Sequence, residues 1–153
     1  MPRNRPGALR AATVAFVDPP PRIRGLSAAA SLDVHRAECE RPSFFLRPGA
    51  TGLALRRYRA FLHPFGGRPL YPRESLCPSC PGCAGDDVRH SRDVLGEVLL
   101  FLPGRSRAEL GRLVGPLDAE FRRRTLPDPF AGERLGAGLG WWHWRLGESA
   151  WDG

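Results

Sequence analysis

Four stretches of the chain space their apolar residues as helices do. Ala-rich composition predicts a helix from about Ser27 to Glu40, with Pro42 opposing its continuation. Apolar residues at 53, 55, 58, 61 and 62 predict a second helix over Gly52–His63, stopped by Pro64. From Asp86 onward, Val88, Leu95, Val98, Leu99 and Leu102 fall on one stripe behind two acidic residues that favour a helix start. The fourth stripe is Leu110, Leu113, Val114, Leu117 and Phe121. Ser106-x-x-Glu109 has the pattern of a capping box at its start, and Pro116 is expected to bend or restart it. Only Pro103-Gly104 separates the last two helices, which predicts an antiparallel hairpin.

Between and around these stripes lie turn-forming segments. "RPSFFLRPGATG" joins the first two helices, and "GGRPLYPRES" leads into a cysteine-rich loop. The tail after residue 130 is glycine-rich at its front, then gathers aromatic residues in "WWHWRL". That run reads as a strand or short helix docking back on the body. The expected organisation is a flexible basic lead segment over 1–25, a helical domain with the cysteine cluster over 26–130, and a Gly-rich linker with a Trp-rich tail over 131–153. The expected fold is mainly α: a small irregular bundle of about four helices, with a Cys-rich loop and long Pro/Gly-rich connections.

Composition changes this picture in one respect. At 153 residues with 42% hydrophobic content the chain is long enough for one cored domain. All 23 basic residues are arginine, and the net charge is +7. A GC-rich coding sequence explains the choice of arginine over lysine, but the charge itself favours anionic partners, nucleic acid or an acidic protein. Arg56 and Arg57 on the second helix and Arg122, Arg123 and Arg124 at the end of the fourth are the candidate surface. The competing reading is a solvated helix face and cations placed favourably at a helix C-terminus. Trp141, Trp142 and Trp144 join the candidates because aromatics beside a base can stack nucleobases or dock a partner. Packing of the tail onto the core is the structural alternative.

No stretch is long enough to cross a bilayer. Basic residues precede the apolar run Ala11–Val17, but the following Asp-Pro-Pro-Pro is a poor signal-cleavage context. The chain therefore reads as cytoplasmic, where thiols stay reduced and clustered cysteines more often bind metal than pair.

Three of the four cysteines fall in "CPSCPGC". Cys77, Cys80 and Cys83 have the C-x2-C-x2-C spacing of a metal knuckle, and Pro78, Pro81 and Gly82 suit its turns. A tetrahedral site needs a fourth ligand, for which Cys39, His90 and His35 are the candidates. Cys39 would complete an all-cysteine set of the kind that holds a four-iron, four-sulfur cluster. His90 would give a three-thiolate, one-imidazole zinc set, which is the favoured cofactor. His35 lies four residues before Cys39 on the same helical face. The redox CxxC reading of "CPSC" needs a preceding strand and a helix from its first cysteine, and no βαβ pattern surrounds it.

The chain has no phosphate loop, no G-x-S-x-G and no HExxH, and no catalytic constellation emerges. The leading expectation is a non-enzymatic, zinc-stabilised binding protein for nucleic acid or an acidic partner. The alternatives are an iron–sulfur or thiol redox sensor and a metal-free adaptor docking through its Trp-rich tail.

Overall fold

The computed structural model describes residues 21–148, apart from 78 and 137. The expected lead segment up to residue 20, the apolar run Ala11–Val17, Pro78 of the cysteine loop and the final Trp151 lie outside the described residues. The fold is mainly helical. Four long helices, α1 (Ala28–Glu40), α2 (Ala50–Leu62), α4 (Val88–Phe101) and α5 (Gly104–Arg124), are accompanied by one-turn helices α3 (Pro81–Ala84) and α6 (Ala131–Arg134). A 3-10 turn follows at Trp141–Trp144. The described residues contain no strand, only an isolated bridge between Pro127 and Arg145. None of these helices is long and apolar enough to cross a membrane.

The predicted stripes are the faces that pack. Leu55, Tyr58 and Leu62 of α2 are buried with Val88, Leu95 and Val98 of α4 and Leu110, Val114 and Phe121 of α5. α1 contributes the small residues Ala30, Val34 and Ala37, letting its backbone approach closely. The most extensive pairing is α2 against α4, rather than between the consecutive α4 and α5. Each apolar stripe goes where it loses most water-exposed area, and chain proximity does not decide this.

The start of α5 differs from expectation. Its N-cap is Pro103, and Ser106 and Glu109 make no box there. Instead, the Ser106 hydroxyl donates to Asp33 Oδ2 of α1 at 2.6 Å. Glu109 Oε2 accepts the Ser27 amide at 3.1 Å, while Ser27 Oγ accepts the Ala30 amide at 3.1 Å. The two halves of a capping box thus assemble at α1 from different helices. Hydrogen bonding from Ser27 holds the Glu109 carboxyl below the usual carboxylate range. Pro116 does not restart the helix, which runs unbroken through it. Both Pro116 and Arg112, whose carbonyl loses its helical donor, are on the solvent face, so water can serve that carbonyl.

α2 is capped in the same cross-helix manner. Gly49, its N-cap residue, has φ 84°, a left-handed conformation that glycine adopts without strain. The fully buried Glu38 of α1 accepts the amides of Gly49 (2.8 Å) and Thr51 (2.7 Å). A carboxylate against the positive end of a helix satisfies two otherwise orphaned donors.

A polar knot ties α2, α4 and α5. Arg92 Nε and Nη2 donate to the two oxygens of Asp118 at 2.8 and 3.0 Å, and the Tyr58 hydroxyl donates to Asp118 Oδ1 at 2.9 Å. Burial, and then the Asp118 charge, push the Tyr58 phenol far above its ordinary value, so it stays a donor.

These bonds set two expectations for stability. Asp118→Ala strands Arg92 and the Tyr58 hydroxyl together and is expected to cost about 3 kcal/mol in urea unfolding. Glu38→Ala exposes two amides of α2 to an apolar site and is expected to cost about 2–4 kcal/mol. Glu40→Ala, two residues away and exposed, should stay within about 0.5 kcal/mol of the parent.

Candidate functional site

Two places gather chemistry. The first is a cleft of about 440 Å³ between the segment entering α1 and the outer face of α2. Arg22, Arg24, Arg56 and Arg59 line it, with His35 at one wall and Ile23 and Leu55 at its floor. The backbone builds this array simply. Arg56 and Arg59 are three apart on α2 and share a face. Arg22 and Arg24 alternate around the buried Ile23 in an irregular segment.

Some of these arginines are tethered through carbonyls. Arg22 Nε donates to the Leu26 carbonyl at 2.8 Å, and Arg59 reaches the Arg24 carbonyl at 3.4–3.5 Å. Among the described residues none of the four is ion-paired, whereas Arg89, Arg92, Arg105, Arg123, Arg124 and Arg134 are. Glu38 lies behind His35, 3.5 Å from its Nδ1, but its oxygens are committed to the amides of α2. The cleft is therefore a concentration of guanidinium charge with no carboxylate among its lining residues.

The second place is the cysteine loop. The turn Cys80-Pro81-Gly82-Cys83 directs the amides of Cys83 and Gly82 at the Cys80 sulfur, and these bonds lower the Cys80 pKa from its ordinary value. Cys83 is raised instead, chiefly by its side-chain hydrogen bond with Cys80, and it is also hydrogen-bonded with Cys77. Of these two, Cys80 is the thiol whose charged form is favoured. Cys80 also caps α3, one turn later than the "CPSC" pairing places a helix start. Ser75 braces the loop: its hydroxyl donates to the Cys83 carbonyl at 2.8 Å and accepts the Cys77 amide at 3.2 Å. Among the described residues no group of three or more His, Cys, Asp or Glu side chains is preformed as a metal cage.

The three fourth-ligand candidates part company. Cys39 is exposed on the last turn of α1. His35 Nε2 is 2.9 Å from the Pro21 carbonyl oxygen, at the arginine cleft. His90 is half-buried on the first turn of α4, packed on Phe44 and Phe45 with ring centroids 5.6 and 5.3 Å away. It shares a cleft of about 380 Å³ with Ser75 and Ala84 of the cysteine loop. Burial lowers its pKa, keeping the imidazole neutral over more of the pH range.

The remaining candidates do not form one surface. Arg56 lines the cleft, while Arg57 is half-buried with its guanidinium against Gly85. Arg122 stacks on Trp141 at 3.9 Å, Arg123 grips Glu120 through two bonds, and Arg124 is buried 3.7 Å from Glu120. Trp141 and Trp142 pack against the core, and Trp144 is exposed.

The tail is held by Asp93, which accepts from Trp142 Nε1 at 2.8 Å and lies 2.8–2.9 Å from His143 Nε2. Arg92 lies over the Trp142 ring at 4.2 Å. The residues expected as linker include the turn of α6, whose Ala131 is buried.

The sequence pattern does not mark out Arg22, Arg24, Asp93 or His143. The i,i+3 pair Arg56/Arg59 is the one local signal for the cleft. Nothing local places residues 22 and 24 opposite them. No protein-family model, curated protein or solved structure matches the chain.

Gly140 gives a direct probe of the docked tail. The Trp142 indole lies where a side chain on Gly140 would project. Gly140→Ala is expected to displace the indole from Arg92 and red-shift the tryptophan emission. Unfolding should remain one cooperative transition, weakened by about 1–3 kcal/mol.

Proposed function

We propose that the protein binds a polyanion, specifically the phosphate backbone of nucleic acid, through the arginine-lined cleft between the α1 entry segment and α2. The observation that carries this reading is the set of four arginines converging on one cleft without an ion-pair partner among the described residues. Guanidinium groups match phosphate oxygens with paired hydrogen bonds, and releasing counterions from the nucleic acid drives association. The cleft's apolar side chains, Ile23 and Leu55, are aliphatic, and its one aromatic ring, His35, is engaged between Pro21 and Glu38. Contact with phosphates alone predicts binding that is insensitive to base sequence.

The test is fluorescence anisotropy with labelled duplexes of unrelated sequence across a salt series. Affinity should fall steeply as salt rises and differ little between sequences. Arg56→Ala/Arg59→Ala should weaken binding and reduce the slope of log K against log salt by about 2, roughly one for each phosphate left without its arginine. Arg123→Ala, which removes a cation already paired with Glu120, should change little. Affinity independent of salt, or equal in the double variant, would rule the cleft out. Capture of an acidic polypeptide but no duplex would transfer the reading to a protein partner.

A further inference from the structure

The cysteine loop carries a second inference, independent of the arginine cleft. Its three thiols lie near one another, with Cys83 interacting with both Cys80 and Cys77. The Gly82 and Cys83 amides point at the Cys80 sulfur across a turn whose intervening residue, Pro81, has no amide of its own. A thiolate bound to a metal accepts such amide bonds, which offset its negative charge. The loop's ends are held together by Ser75, bonded to Cys77 and Cys83.

One further donor stands nearby with nothing to do. The imidazole nitrogens of His90 have no hydrogen-bond partner among the described residues, and the ring is oriented by Phe44 and Phe45. Ser75 and Ala84 line the same cleft as His90. Arg47 lines a second small cleft with His90, and its charge also acts on Cys80. Cys39 is exposed on α1, and the His35 imidazole is occupied between Pro21 and Glu38.

We propose that Cys77, Cys80, Cys83 and His90 are the ligands of one zinc ion, around which the cysteine loop closes. Sites of this kind are commonly completed by the metal and are not preformed without it. Three thiolates and a neutral imidazole make a tetrahedral set that zinc favours. Binding converts three thiols to thiolates and releases three protons to solvent. The product, zinc with three thiolates and one imidazole, carries a charge of −1, and the positive charge of Arg47 already acts on the Cys80 thiol. The ion would pin α3 and the loop before it to the first turn of α4.

The test uses the full chain, unfolded in chelator and reductant and refolded with or without one equivalent of zinc. Elemental analysis should find one zinc per chain. A thiol reagent should then titrate one cysteine, the exposed Cys39, and all four once zinc is stripped. Cobalt in place of zinc should develop thiolate charge-transfer bands and the intense visible bands of tetrahedral coordination. Cys39→Ser should leave the zinc content and the cobalt spectrum unchanged and lower each thiol count by one. His90→Ala should weaken the metal by more than about tenfold, the smaller of the effects seen even for residues that only support a ligand. Four reactive thiols in zinc-treated protein would overturn the site, as would a Cys80–Cys83 disulfide that forms equally fast with and without zinc. Unchanged affinity and cobalt spectrum in His90→Ala would overturn the ligand set. The cobalt titration of the parent chain decides the matter even if a cysteine variant does not fold. A failed duplex-binding experiment would leave this result untouched, because the two sites share no residue.

Discussion

The Arg92–Asp118 pair is the constraint on which the helices and the tail converge. Asp118 of α5 receives Arg92 from α4 and the Tyr58 hydroxyl from α2, so one carboxylate sets the separation of three helices. Arg92 then offers its guanidinium face to Trp142, and the neighbouring Asp93 takes the indole N–H. The charge is half-buried at one end and stacked on an aromatic at the other. Desolvating it is tolerable only because both carboxylate oxygens answer it. One penalty remains visible: Arg92 Nη1 is buried without a partner among the described residues.

Carboxylates are used in this chain mainly as internal fasteners. Glu38 caps α2 from α1, Glu109 completes the cap of α1 from α5, and Asp33 receives Ser106 of α5. Asp118 ties the core, Asp93 holds the tail, and Asp128 accepts the Phe130 amide beside α6. Some of these acids also reach exposed arginines, Asp33 with Arg36, Glu109 with Arg105 and Asp128 with Arg134, but none of them lines the arginine cleft. The chain carries an excess of seven positive charges, and Arg22, Arg24, Arg56 and Arg59 share one cleft without an ion pair among the described residues. The same placement of acids that holds the helices together exposes the charge on which the proposed phosphate binding rests.

The cysteine loop obeys a different logic. It follows a long connection without regular structure, and its geometry comes from local chemistry. Proline at 81 removes an amide, the Gly82 and Cys83 amides serve the Cys80 sulfur, and Ser75 links the two ends. Such a segment gains order only when something satisfies its sulfurs together. The interactions of Cys83 with Cys80 and Cys77 do this in part, and the proposed metal ion would do it more fully.

Much of the fold was legible because helix formation is written locally. Ser27, Asp87 and the apolar stripes placed three helix starts or ends within a few residues, and the stripes became the buried faces. The CxxCxxC spacing likewise announced that three thiols would meet, since so short a span cannot carry them far apart. Other features had no local signature. Ser106 and Glu109 match a capping box in sequence, yet serve α1, because a hydrogen-bonding side chain satisfies whichever orphan amide the fold brings within reach. His35 and His90 were equivalent as candidates. Only the packing of α1 and α4 put one at the arginine cleft and the other in a cleft it shares with Ser75 and Ala84. The sequence alone determined where the chain coils and which faces are apolar, since both follow from neighbours within one or two turns. Tertiary structure decided which charges are paired, which arginines share a cleft and where Trp142 rests, because those depend on distances between residues up to 82 positions apart.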